Sequence, residues 1–192
     1  VKMSCVESIG EKAFGYSKLL SSVELGNALR RIGIRAFTNC ISLASINLPD
    51  SVTDIAEYAF QNCKSLTSLS LGKNVETFGI MDLGTDGVFG TSASPVYTCT
   101  ALTQINVAEC NTHFASADGI LYANELNGKS FGKNGVLYVV PPAYPKTRLT
   151  VESSVRVIVP YSVHYSVNVT EADFGNFSLE NVAKGAFYMS RK

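Results

Sequence analysis

The sequence predicts a β-rich solenoid of stacked 23-residue repeats, in which short parallel strands alternate with irregular or single-turn helical returns in an α/β horseshoe-like arrangement. Three observations support this fold class. An Ala-Phe pair recurs every 23 residues, a Leu-x-x-Ile-x-Leu segment recurs at the same interval, and 46% of the residues are hydrophobic. Because a unit of this size cannot bury its apolar side alone, neighbouring units must stack.

The return segment of each unit carries the first repeated pattern. The Ala-Phe pairs are Ala13-Phe14, Ala36-Phe37 and Ala59-Phe60, and each is preceded in phase by Ile-Gly or Ile-Ala. We expect the small alanine to lie where the coil is tight and the phenylalanine to fill the interior. The segment Ile-Gly-x-x-Ala-Phe-x-x-Cys would then return the chain on the side opposite the strand.

The strand of each unit carries the second pattern. In the segment Leu43 to Leu48, Ile46 and Leu48 are expected to point inward, while Ser45 and Asn47 point outward. This alternation is typical of a short strand with one buried face. Strands of successive units would form a parallel sheet with a spacing of about 4.8 Å.

The fourth unit is longer than the others. Leu102, Ile105 and Val107 restore the strand pattern 36 residues after Leu66, Leu69 and Leu71, which is 13 residues more than the regular interval. The residues between Gly84 and Pro95 are rich in Gly, Thr, Ser and Asp, so we place an insertion at 84–98. We expect Val88-Phe89 to take the place of the Ala-Phe pair.

The period breaks after Val107. FASADGILY, 114–122, predicts a hairpin around its Asp-Gly pair, and FGKNGVLYVV, 131–140, predicts a second around Asn134-Gly135. Residues 149–192 contain degenerate repeats. We therefore expect residues 1–192 to form one solenoid domain, with regular repeats over 5–110, an irregular hairpin-containing stretch at about 111–148, and incomplete first and last units that indicate a fragment of a longer chain.

These residues resemble the BspA-like leucine-rich repeat family, which residues 43–63 match almost position by position. The segment Ser116 to Tyr122 and the later Pro141-Pro142 also resemble a segment that interrupts repeats in this family. The resemblance implies a leucine-rich-repeat solenoid on the surface of a gut or oral bacterium or of a parasitic protist. It further implies a non-enzymatic, cell-surface or secreted binding module for adhesion, with no catalytic residues and no cofactor.

Charge and hydropathy exclude other classes. Lys+Arg and Asp+Glu both number 16, so the chain lacks the basic field of a general nucleic-acid binder. The longest nearly apolar stretch, Val136 to Tyr144, contains two prolines and is too short to span a bilayer. The sequence contains no signal peptide, although a mature chain or an excised fragment would have lost one.

The five cysteines follow the repeat rather than a metal motif. Cys40, Cys63 and Cys99 share one repeat position and would stack as a buried column of free thiols. A disulfide between Cys40 and Cys63 is the alternative, although parallel side chains disfavour it. Cys5 and Cys110 would lie too far apart for a disulfide, and the absence of Cys-x-x-Cys argues against zinc.

Other polar residues give weaker signals. His113 and His164 lie in no nucleophile motif and are interpreted as ordinary loop or surface histidines. Arg30, Arg31 and Arg35 form the only basic cluster, interpreted as a solvated face with charge pairs to the acidic residues of neighbouring units. An anion-binding patch is the alternative. An enzyme is not expected, because no titratable groups converge in the sequence.

The outward face of the predicted sheet is the best candidate for ligand binding. Two columns of polar side chains follow it, namely Glu24, Asn47, Ser70, Asn106 and, beside them, Ser22, Ser45, Ser68, Gln104. Short hydroxyl and amide groups on a rigid platform would hydrogen-bond a protein or a glycan on a host or neighbouring cell. The alternatives are ordinary solvent-facing strand positions, a rival site on the 84–98 loop with Phe89, Pro95 and Tyr97, and a structural spacer or stalk without a ligand.

Overall fold

The computed structural model describes residues 1–79, 94–126, 128–175 and 179–188. These residues form about seven turns of a β-solenoid and contain no helix, so within them no helix is long or apolar enough to cross a membrane. The predicted leucine-rich-repeat solenoid is confirmed, and its returns are irregular turns rather than single-turn helices.

The regular half of the chain builds two parallel strand columns. Its strands are β1 Lys2–Met3, β2 Ser8–Ile9, β3 Glu24–Leu25, β4 Arg31–Ile32, β5 Asp54–Ile55, β6 Ser68–Leu71, β7 Thr77–Phe78 and β8 Gln104–Val107. The first column consists of the pair β1-β3, residue Asn47, which bridges Ser70, and the pair β6-β8, while no pairing among the described residues joins β3 to Asn47. We call this strand column the first sheet. The second sheet has the order β2-β4-β5-β7.

The second sheet lies at the start of the segment that the sequence predicts to be the return. Ile9, Ile32, Ile55 and Phe78 pair in register and are buried, whereas the residue before each one faces outward or is half-exposed. One inward and one outward residue are what a two-residue strand requires. Such a strand is too short to give a periodic signal in the sequence.

The returns follow one conformation from unit to unit. The N–H of Phe14 donates to the carbonyl of Ala36, and that of Phe37 to the carbonyl of Ala59, at 2.8 and 2.7 Å. Residues with left-handed backbone recur at the repeat interval, with φ between 53° and 64° at Lys12, Tyr16, Arg35, Asn39, Tyr58 and Asn62. The backbone hydrogen bonds thus tie each return to the next one along the rod.

The fourth return differs from the expected one. The N–H of Phe60 donates to the carbonyl of Pro95 at 2.8 Å, and that of Asn62 to the carbonyl of Tyr97 at 2.9 Å. Pro95 and Val96 therefore occupy the Ala-Phe positions, because they continue the hydrogen-bond ladder. Residues 94–98 belong to this return, while Val88-Phe89 and the rest of the predicted insertion lie outside the described residues.

The second half of the chain adds hairpins and further parallel rungs. Its strands are β9 Phe114–Ala117, β10 Ile120–Ala123, β11 Glu125–Leu126, β12 Lys129–Ser130, β13 Val136–Val139, β14 Arg148–Thr150, β15 Val157–Ile158, β16 Glu171–Asp173 and β17 Asn181–Val182. They form a five-stranded sheet of order β17-β15-β13-β10-β9 and the pairs β11-β12 and β14-β16. Within these elements, β13, β15 and β17 pair in parallel, as do β14 and β16.

The two predicted hairpins have different outcomes. β9 and β10 form the antiparallel hairpin around Asp118-Gly119, with both turn residues at positive φ, as the Asp-Gly pair predicts. The prediction of a hairpin around Asn134-Gly135 is wrong. The second hairpin joins β11 to β12, and the strand after Gly135 pairs instead with β10 and β15.

A buried asparagine joins the two halves. The side-chain amide of Asn111 donates to the carbonyls of Gly72 and Val75 at 2.9 Å each, and its Oδ1 accepts the N–H groups of His113 and Phe114. These four hydrogen bonds satisfy a polar side chain that is almost fully buried. Asn111 therefore fixes the start of the first hairpin against the last regular turn.

Candidate functional site

The polar columns predicted from the sequence lie side by side on the first sheet. The register pairs Lys2 with Glu24, Asn47 with Ser70, and Ser70 with Asn106, while Ser68 pairs with Gln104 in the neighbouring column. The hydrophobic residues between them, including Ile46, Leu69 and Ile105, are buried beneath the sheet. We call this surface the polar face, and its seven predicted residues are Glu24, Ser45, Asn47, Ser68, Ser70, Gln104 and Asn106.

Exposure is consistent across the polar face. Six of these seven residues are exposed, and Ser68 is half-exposed. Lys2 Nζ lies 3.6 Å from Glu24 Oε2 at the first rung, and the side chains at the later rungs of the columns are neutral. Chemically, the face offers a periodic row of hydroxyl and amide groups, which both donate and accept hydrogen bonds.

The first hairpin marks the end of the polar face. Ile105 donates its N–H to the carbonyl of Gly119 at 2.8 Å, and Val107 donates to Ser116 Oγ at 3.0 Å. Gly119 has φ +77°, and a Cβ there would lie 2.9 Å from Gln104 Cβ, so only glycine permits this approach. Gln104 is thus the boundary residue of the face rather than its centre.

A shallow depression adjoins the polar face. Its volume is about 340 Å³, and Leu48, Asp50, Ser70 and Asn106 are among the residues that line it. The Asp50 carboxylate lies at its rim and accepts the N–H of Lys73 at 3.4 Å. The depression therefore lies beside the Ser70 and Asn106 rungs of the polar face.

The three cysteines of the repeat form the predicted buried column. Cys40, Cys63 and Cys99 donate their thiols to the carbonyls of Phe14, Phe37 and Phe60, respectively, at 3.0 to 3.2 Å. Burial raises the pKa of all three thiols, that of Cys99 to about 12. Cys5 and Cys110 are exposed, and all five cysteines are free. The column is part of the core because its thiols are buried. Protonated buried thiols are poor nucleophiles, so we do not assign the column to a reactive site.

The arginine cluster does not form one site. Arg31 Nε lies 3.5 Å from Asp54 Oδ2 across β4 and β5, as expected for a cross-strand charge pair. Arg30 instead donates to the carbonyl of Ser51 at 3.3 Å, and the Arg35 guanidinium lies 4.9 Å from the centre of the Tyr58 ring. Each arginine has its own partner, so the three do not converge on an anion.

The second histidine, predicted to be an ordinary loop or surface residue, lies in a turn but is not at the surface. His164 is 1% exposed, and its ring stacks on Tyr97 with centroids 4.7 Å apart. Its Nδ1 donates to the carbonyl of Tyr161 at 2.6 Å, while Nε2 has no partner. Burial lowers the pKa of this imidazole. His113, by contrast, is partly exposed, with Nε2 4.0 Å from Glu125 Oε1.

Sequence analysis missed the tyrosines around His164. Tyr97 contacts Tyr58 and Tyr165 edge-to-face at 6.0 Å each, and Tyr161 contacts Tyr188 in the same way at 5.6 Å. The signal available in the sequence was the pair Tyr161 and Tyr165, whose spacing of four equals that of the left-handed positions Lys12 and Tyr16. Tyr97, expected in a rival binding loop, is part of this packed return.

Comparison with protein families identifies the repeats. Residues 3–81 match the model described as BspA type Leucine rich repeat region, in six copies, which confirms the resemblance to this family. No curated protein matches the chain in sequence.

Solved bacterial structures share the fold. The chain is similar to the pneumococcal vaccine antigen PcpA, with 23% identity and a TM-score of 0.70 over 93% of this chain and 42% of that one. It is also similar to a leucine-rich repeat protein from Eubacterium ventriosum, with 21% identity and a TM-score of 0.67 over 98% of this chain and 50% of that one. A leucine-rich repeat protein from Bacteroides ovatus has 18% identity and a TM-score of 0.59 over 94% of this chain and 38% of that one. The chain thus spans half or less of the length of these proteins.

Proposed function

We propose that this chain, whose residues 3–81 are a BspA-type leucine-rich repeat region, is a cell-surface or secreted binding module that adheres to host or matrix proteins or to other cells. The observation that carries the proposal is the polar face. Its side chains repeat from rung to rung on a sheet whose backbone is fixed by stacked turns, so that a partner would meet an ordered array of hydrogen-bonding groups.

The partner class is protein first, with glycan as the alternative. The polar face carries no aromatic side chain on which a sugar ring would stack, while serine and asparagine side chains hydrogen-bond well to a peptide backbone. The similarity to a vaccine antigen is consistent with exposure at a surface. The fold itself does not specify the ligand, because solenoids host many binding functions.

A binding screen tests the proposal. The purified chain would be presented to extracellular-matrix proteins and to glycans, beside a variant with Asn47→Lys, Ser70→Lys and Asn106→Lys. Saturable binding that the variant loses is the expected result. Binding that the variant retains would place the contact elsewhere on the chain, and no binding by the folded chain would favour a structural spacer.

A further inference from the structure

A cavity of about 270 Å³ lies at the point where the second sheet is interrupted. β7 is the last strand of this sheet, and no further strand of the described chain pairs with its free edge. The Tyr138 hydroxyl reaches across instead and donates to the carbonyl of Phe78 at 3.0 Å. The cavity opens beside this contact, between β7 and the start of β11.

The interruption leaves a backbone acceptor without a donor. In the preceding units the carbonyls of Glu7, Arg30 and Thr53 each accept two N–H groups from the next unit, at 2.8 to 3.4 Å. Glu76 holds the same position before β7. No described residue donates to the Glu76 carbonyl, although this residue lines the cavity. Among the described residues, an acceptor that the repeat normally satisfies twice therefore has no donor at this place.

The polar side chains of the cavity are also mainly acceptors. Glu76 and Glu125, both exposed, are the two acidic residues of the lining, and no lysine or arginine is among the described residues that line the cavity. Thr77 already donates its hydroxyl to Asp54 Oδ1 at 3.2 Å. Glu125 is exposed, and its Oε1 lies 4.0 Å from His113 Nε2. The cavity therefore needs a ligand that is rich in donors and positively charged.

The floor of the cavity is aromatic. The rings of Phe78 and Phe114 meet edge-to-face at 6.4 Å, and those of Phe114 and Tyr138 at 5.5 Å. Leu126 completes the apolar lining. Phe78 is fully buried and Phe114 and Tyr138 are each 5% exposed, so the lining offers a small apolar contact to the methylene stem of a ligand rather than an open ring face.

We propose that this cavity binds the side chain of an arginine presented by a protein partner. A guanidinium has five donors and no acceptor, which complements two acidic residues and a carbonyl without a donor among the described residues, and its methylene stem suits the apolar lining. The site lies on the second sheet, so it is separate from the polar face and does not depend on the function proposed for that face.

Titration of the ¹⁵N-labelled chain with N-acetyl-arginine amide tests the proposal. The expected result is saturable shifts of the backbone amides of residues 76–79, 113–114 and 123–126, with a dissociation constant in the millimolar range. N-acetyl-citrulline amide has a similar shape without the charge and is expected to cause no such shifts. N-acetyl-lysine amide is expected to bind several-fold more weakly, because it lacks the planar fork.

Matched variants locate the site. The double change Glu76→Gln and Glu125→Gln is expected to weaken arginine binding about tenfold. The control, Glu109→Gln with Glu152→Gln, removes the same charge at exposed positions outside the cavity and is expected to bind like the parent chain. The proposal is overturned if the shifts are absent or map elsewhere, if citrulline or lysine binds as well as arginine, or if the two double variants bind equally.

Discussion

The aromatic rings of Phe37 and Phe60 lie nearly parallel, with centroids 5.6 Å apart and 9° between their planes. Phe14 stacks on the other side of Phe37 at 5.1 Å. These residues occupy the same position in three successive units, and both Phe37 and Phe60 are completely buried. The core phenylalanine of one turn is thus packed between the equivalent phenylalanines of the neighbouring turns. A single unit alone would lack these packing partners.

Replacement of Phe37 tests this stacked core. Phe37→Ala is expected to lower the free energy of unfolding by about 3–5 kcal/mol, because it leaves a cavity between two aromatic neighbours. Ser45→Ala, on the exposed face, is expected to change it by less than about 0.5 kcal/mol. Urea unfolding of both variants measures the difference. Equal stabilities of Phe37→Ala and the parent chain would rule out the stacked core.

Thiol labelling tests the cysteine column. In the native chain, a thiol reagent is expected to modify Cys5 and Cys110 quickly, because both are exposed. Cys40, Cys63 and Cys99 are expected to react only after denaturation, since burial raises their pKa and shields their sulfur atoms. Mass spectrometry of the labelled peptides distinguishes the two groups. Rapid native labelling at any of the three column positions would contradict the assignment.

The same column predicts a loss of stability in alkali. A cysteine of the unfolded chain loses its proton near pH 8.5, whereas Cys99 in the folded chain keeps it up to about pH 12. The unfolded state then binds fewer protons, so stability is fully present below about pH 8.5 and falls as the pH rises, by about 1.4 kcal/mol per pH unit for each such thiol.

Cys99→Ala isolates this effect. Between pH 8.5 and 10, the free energy of unfolding of this variant is expected to fall less steeply than that of the parent chain, even though the variant is less stable overall. Ser45→Ala, at an exposed position, removes no titratable group and serves as the control with the parent slope. Identical slopes for the parent chain and Cys99→Ala would show that this thiol titrates normally in the fold.

His164 predicts a loss of stability in weak acid. Burial lowers its pKa in the folded chain, so the unfolded chain takes up a proton as the pH falls below about 6.5 while the folded chain does not. His164→Phe, which keeps a ring against Tyr97, is expected to flatten the fall in stability between pH 6.5 and 5. An unchanged profile in His164→Phe would contradict the prediction.

The regular units were predictable because the 23-residue spacing determines which side chains face inward, which face outward and which align between units. Once the Ala-Phe pairs fix the phase, the inward position of Ile46, the outward position of Asn47 and the alignment of Cys40 with Cys63 all follow. The rungs of the polar face could be assigned in the same way. Whether a ligand contacts them is a question that a periodic pattern cannot answer, because solvent-facing strand positions have the same composition.

The errors lie where a local signal competes with long-range pairing. Asn134-Gly135 has the composition of a hairpin turn, but the Gly135 carbonyl accepts the N–H groups of Arg156 and Val157 from a later parallel rung. Val88-Phe89 resembles the repeated pair better than Pro95-Val96 does, yet the latter continues the hydrogen-bond ladder from Phe60. In both cases the backbone partner, which is distant in sequence, decides the structure.

The cavity beside β7 and the burial of His164 had no signal of their own. The cavity exists because Tyr138, 60 residues away, contacts Phe78 where a strand of the next unit would otherwise pair. His164 is buried because Tyr97 from the fourth return covers its ring. Contacts between the regular and the degenerate halves of the chain create both features. The repeat pattern predicts the structure within each half and carries no information on the contacts between them.

The affinity of the polar face for its partner is the measurement that tests the proposed function most directly. For the partner found in the screen, the Asn47, Ser70 and Asn106 to Lys variant is expected to bind at least about tenfold more weakly than the parent chain, a change of about 1.4 kcal/mol. A control with Ser8, Ser153 and Asn181 changed to Lys adds the same charge at exposed positions outside this face and is expected to bind as the parent does. Equal affinities of the two variants would contradict binding through the polar face.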